Sequence, residues 1–181
     1  MIRFWLIISV AVIFVACGQG INTYILKCDD MKGKLFREFR SEKFNVKAQY
    51  LPLDYVVLQS IRKEEISNNE MDSLRNIYSD FICFNVYLDD YFNIKSNSVL
   101  ENVSVSQELA LENYLMENLI LVVGAENIES PGIKVFKSSL DHWSYKVNVV
   151  FNHRSEHTDD ILLKLRSLTG EISTIAQYKK G

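Results

Sequence analysis

Phe81-Ile82-Cys83-Phe84-Asn85-Val86-Tyr87-Leu88 is the stretch that decides the fold class. Ile82, Phe84, Val86 and Leu88 point one way, and Phe81, Cys83, Asn85 and Tyr87 the other. That period of two belongs to a strand. One face is wholly apolar and must be covered by a second layer. The alternation recurs at residues 145–151, where Tyr145, Val147, Val149 and Phe151 share a face. Upstream, Phe44, Val46, Ala48 and Tyr50 alternate with polar residues, and Pro52 ends that strand or marks an edge. Tyr55-Val56-Val57-Leu58 reads as a further strand. Downstream, Leu121-Val122-Val123 ends at Gly124, and Pro131-Gly132 is a turn signal. Residues 161–165 fit either a strand or a helix capped by Thr158. Gly170 then serves as a hairpin turn or a helix C-cap. Residues 172–178 read as a last strand, so the C-terminal half has the pattern of a β-meander.

Helical signals are fewer. Ser67-Asn68-Asn69 before Glu70 marks a helix start, with Met71, Leu74, Ile77 and Tyr78 on one face and Phe81 continuing it. Ser104 or Ser106 caps a helix carrying Leu111, Tyr114, Leu115 and Leu119. Residues 27–47 read two ways. Met31, Leu35 and Phe39 recur at helical spacing behind Asp29 or Asp30, with Gly33 counting against a helix; a hairpin turning at Lys32-Gly33 is the other reading. The expected fold is mainly β: a β-sandwich with two or three peripheral helices, with an α+β layered domain as the alternative.

With 181 residues, 48% apolar and 24% charged, the chain has the composition of one globular domain. Its 7 Gly and 2 Pro exclude collagen-like and low-complexity classes. A formal net charge of −3 speaks against a nucleic-acid partner. Three cysteines are too few for a disulfide scaffold.

The amino terminus is the most specific segment. Met1-Ile2-Arg3 is a short basic n-region, and residues 4–15 form an apolar run of about 12 residues broken only by Ser9. A membrane span needs about 20. The run closes on Phe14-Val15-Ala16-Cys17, followed by Gly18-Gln19-Gly20. This resembles the signal peptides of bacterial lipoproteins, with Phe14 where Leu is commonest. The resemblance covers residues 1–20. It implies cleavage before Cys17 and acylation of Cys17, including palmitate-type chains. Two or three chains there anchor a protein firmly, where one would not. It also implies a signal peptide at 1–16 and a lipid-anchored tether at 17–26, after which the strand patterns make residues 27–181 one β-rich domain. The mature chain then carries 19 basic and 23 acidic residues, a net −4. Gly18 after the anchor, with no acidic cluster following, is compatible with the periplasmic face of an outer membrane.

The sharpest chemical motif is His153-Arg154-Ser155-Glu156-His157, an H-x-x-E-H pattern like that of inverted zinc proteases. That chemistry needs both histidines on one helix face and a third ligand downstream. Residues 147–151 read as a strand and 152–159 as a polar turn, so a solvated loop is the expectation, with no metal. His142 beside Trp143 reads as a surface or half-buried histidine. Cys28 and Cys83 remain in the mature chain and form a possible disulfide. Asp89-Asp90 with Asn93 offers oxygen ligands, but not at EF-hand spacing, and reads as a polar turn. No cofactor motif is present, and no catalytic residue is singled out. Lys27, Lys32, Lys34, Arg37, Arg40, Lys43 and Lys47 form a basic stretch offset by Asp29, Asp30, Glu38 and Glu42; it reads as a solvated face or a contact for anionic headgroups.

The expected role is a lipid-anchored, non-enzymatic binding or assembly module of the bacterial envelope, with an envelope protein as partner. Accessory subunits, inhibitors and immunity proteins are the classes that fit. A membrane-tethered hydrolase using His153, Glu156 and His157, and a carrier of a lipid or small ligand, are the alternatives.

Overall fold

In a computed structural model of the chain, residues 33–61, 67–93, 106–140, 142–153 and 160–179 are described. The chain divides into two units, Met1–Lys34 and Leu35–Gly181. All elements below belong to the second.

In chain order they are β1 (Phe36–Arg40), β2 (Asn45–Leu51), α1 (Leu53–Ser60), α2 (Asn68–Tyr78), β3 (Phe81–Leu88), a 3-10 turn (Asp90–Phe92) and α3 (Gln107–Asn118). Then follow β4 (Leu119–Val123), β5 (Glu126–Glu129), β6 (Gly132–Lys137), β7 (Tyr145–Asn152), β8 (Ile161–Arg166) and β9 (Ile172–Tyr178). The fold is mainly β. Two antiparallel sheets, of order β1-β2-β3-β7-β6 and β5-β4-β8-β9, form a sandwich with three helices around it.

Alternation builds the interior. Val46 and Ala48 of β2, Ile82, Phe84, Val86 and Leu88 of β3, and Val147, Val149 and Phe151 of β7 face inward from the first sheet. Leu119, Leu121 and Val123 of β4 and Leu163 and Leu165 of β8 face them from the second. Phe84 is fully buried at the centre, edge-on to Phe151 at 6.0 Å. On the opposite face of β3, Cys83, Asn85 and Tyr87 are also buried, and Asn85 donates to Gln49 Oε1 at 2.9 Å.

Four points differ from the sequence reading. Residues 55–58 lie in helix α1, not a strand. Tyr55 and Val57 are both buried two positions apart, which mimics alternation, while Pro52 takes the N-cap place and Asp54 sits in the first turn. Leu35 leads into strand β1, which holds Phe39, so the helical spacing of 27–47 does not produce a helix there. The hairpin that is described there turns at residues 41–44; Lys32, of the expected Lys32-Gly33 turn, lies outside the described residues. The meander is interrupted: β6 and β7 form a hairpin in one sheet, β8 and β9 in the other.

Other signals are realised. Ser67 and Glu70 form a reciprocal capping box at α2, although Ile77 on its apolar face is exposed. Ser106 caps α3, and Phe81 and Leu119 begin strands instead of extending helices. Gly170, at φ +87°, makes the tight β8–β9 turn that a side chain would strain. At residue 130 the chain crosses between sheets, and Ser130 Oγ donates to Val150 O at 2.7 Å.

Candidate functional site

The sheet edges are treated differently. β6 is covered by α3: Glu112 Oε1 accepts the Val135 N–H at 3.0 Å and pairs with Lys134 Nζ at 3.0 Å. The Val135 hydrogen bond, joined by Lys134, holds the Glu112 carboxyl below its ordinary range. β5 is only four residues long and carries Glu126 and Glu129, a short charged edge that resists pairing. The remaining edges, β1 and β9, face each other along one side of the sandwich.

Their register fixes what faces the seam. Tyr50 N donates to Leu35 O and Ser41 N to Phe44 O, so residues 35, 37, 39 and 41 spend their main-chain groups on β2. Phe36, Glu38 and Arg40 then direct theirs outward. Likewise Ser167 N donates to Glu171 O, which leaves Ile172 and Thr174 of β9 directed outward. Among the described residues no backbone hydrogen bond joins the two edges.

Side chains bridge the seam at two places. Toward the start of β1, the Arg37 guanidinium donates to Phe36 O at 2.8 Å and to Gln177 O at 3.2 Å. It also lies 5.1 Å over the Tyr178 ring. Tyr178 packs on Tyr50 and Phe84 and donates to Ala48 O at 3.0 Å. Burial raises its phenol pKa, with the Arg37 charge and a backbone hydrogen bond from Tyr50 acting against that shift. At the other end, Lys43 Nζ reaches Glu171 Oε2 at 3.4 Å, and both side chains are more than half exposed. An exposed pair of this kind contributes on the order of 0–1 kcal/mol.

Between the bridges lies a cleft of about 300 Å³ lined by Phe39, Ser41, Glu42, Lys43, Phe44, Glu171 and Ser173. Phe39 and Phe44, 5.5 Å apart, form its floor, and Tyr91 stacks behind Phe44 at 5.4 Å. Ser173 pairs opposite buried Leu165, so a small polar residue stands where the alternation puts an apolar one, and space is left. Leu168 and Ile172 are exposed on the β8–β9 hairpin. The volume is at the lower bound of ligand pockets and suits one apolar side chain, not an acyl chain.

The sequence-derived candidates lie elsewhere or outside the described residues. Cys17, Cys28, Glu156 and His157 are outside them. His153 directly follows β7, and its N–H donates to Asp80 O at 2.9 Å. Cys83 is buried with a free thiol, and burial pushes its pKa up to about 11. Asp89 accepts from Asn45 N at 2.6 Å and from Tyr91 N at 3.2 Å, and Asp90 accepts from Ser144 Oγ; these carboxylates tie loops together. His142 is exposed at φ +71° in the β6–β7 loop. Among the described residues no three His, Cys, Asp or Glu side chains gather to hold a metal. Of the basic stretch, Arg40 pairs with Glu38, Lys43 with Glu171, and Lys47 lies over Phe36. Lys27 and Lys32 fall outside.

The cleft escapes a reading of the sequence because residues 41–44 contain no Gly, Pro or Asn to mark a turn. The polar run Arg40-Ser41-Glu42-Lys43 between Phe39 and Phe44 is the available signal. The chain matches no family model, no curated protein and no solved structure.

Proposed function

We propose that the chain is a bacterial lipoprotein, anchored through Cys17, whose domain works by binding an envelope protein. The observation that carries the reading is Cys17 itself, placed behind Phe14-Val15-Ala16 at the end of a short apolar run with a basic start. The periplasmic face of an outer membrane is the location that Gly18 fits. What supports binding is the cleft: an aromatic floor inside a charged rim, the anatomy of a small protein-interaction hot spot. Arg37, Asp89, Asp90 and Tyr178 are spent on joining elements.

The test is metabolic labelling with an alkyne fatty acid in a bacterial host. Wild type becomes labelled, fractionates with membranes and lacks residues 1–16 by intact mass; Cys17→Ser is unlabelled. An unlabelled wild type that is released to the periplasm refutes the anchor.

A further inference from the structure

We propose that the seam beside β9 is a strand-acceptor site. It takes an extended segment of about four residues from a partner protein, whose main chain pairs with the outward groups of Ile172 and Thr174. One apolar side chain of that segment rests on Phe39 and Phe44. The inference deepens the binding reading above by naming the mode of recognition.

Three observations carry it. First, two of the four sheet edges are guarded, β6 by Glu112 and β5 by its length and two glutamates. The β9 edge has neither device between residues 172 and 174. Second, the seam closes by side chains alone. Arg37 occupies the carbonyl of Gln177, so the free stretch ends there and only a short segment fits. Its other closure is the exposed Lys43–Glu171 pair, the easiest contact of the seam to exchange. Third, the cleft beside this edge has inward space at Ser173 and an aromatic floor. Main-chain pairing supplies affinity and a pocket for alternate side chains supplies specificity, the general logic of β-augmentation. A segment with an acid and a base two positions either side of its apolar residue matches the lips: all three side chains then share one face, and whichever end lies at the hairpins answers Lys43 or Glu171 when their mutual pair opens.

The probe is the capped peptide acetyl-Glu-Thr-Phe-Thr-Lys-amide, with Leu, Val and Tyr versions at its centre. Hydrogen exchange is read on the full chain as purified from cells in detergent. Amides of Ile172 and Thr174 exchange fast in the free protein, and millimolar peptide slows them at least tenfold. The same peptides N-methylated on alternate amides give no protection. Thr174→Pro removes an outward N–H without touching the β8 ladder, so it abolishes protection, whereas Thr174→Ala keeps it. Amides already protected in the free protein overturn the proposal. So does equal protection by N-methylated peptides, or no protection at Ile172 and Thr174 by any member of the set. The peptide comparison on wild type decides the matter even where Thr174→Pro fails to fold. Because exchange is read on the chain itself, this result is independent of whether Cys17 is acylated in cells.

Discussion

Replacing Tyr178 by Phe makes the seam's contribution to stability measurable, because its effect reverses with pH. The substitution keeps the ring against Tyr50 and Phe84, and under Arg37, and deletes only the hydroxyl that donates to Ala48 O. Ala48 lies opposite Arg37 in a hydrogen-bonded pair, so its carbonyl keeps a ladder partner and no buried group is orphaned. The cost at neutral pH is then that of one ordinary hydrogen bond, about 1 kcal/mol. At alkaline pH a second effect appears. Burial raises the phenol pKa in the folded state above its ordinary 10.0. Below that ordinary value both states are neutral and Tyr178 contributes its full stabilisation. Above it the unfolded chain ionises first, and folding stability falls by up to about 1.4 kcal/mol per pH unit until the folded phenol titrates too. The variant has no phenol at this position and suffers no such loss. The wild type is therefore more stable than Tyr178→Phe by about 1 kcal/mol at pH 8, and the difference vanishes or reverses at about pH 11. Urea unfolding of residues 17–181 carrying Cys17→Ser, with and without the substitution, measures it. All other titrations cancel in the comparison. A difference that stays constant between about pH 8 and pH 11 refutes the buried, hydrogen-bonded Tyr178.

Phe84→Ala, at the centre of the sandwich, costs about 3–5 kcal/mol, measured by urea unfolding at neutral pH. Glu112→Gln loses stability at neutral pH, because the folded state holds that carboxyl below its ordinary range. Its contribution is present above the usual carboxylate pKa and is lost as pH falls through the lower folded value, so wild type and variant converge in acid melts. Cys83, buried with its thiol raised to about 11, is alkylated by iodoacetamide only as fast as the protein opens, and mild urea accelerates the reaction steeply.

Legibility followed the strength of local patterning. β3 and β7 were readable because each buries a complete apolar face, and α2 because Ser67 and Glu70 stand at capping-box spacing. β1 was not, because its exposed positions carry Arg37, Glu38 and Arg40 and its strand character comes from pairing with β2. β5, Glu126-Asn127-Ile128-Glu129, has a single apolar residue and exists as a strand because β4 presents an edge to it. The site was unreadable for a different reason. Lys43 and Glu171 are 128 residues apart, Arg37 and Gln177 are 140 apart, and the space above Phe39 exists only where two hairpins from different sheets meet.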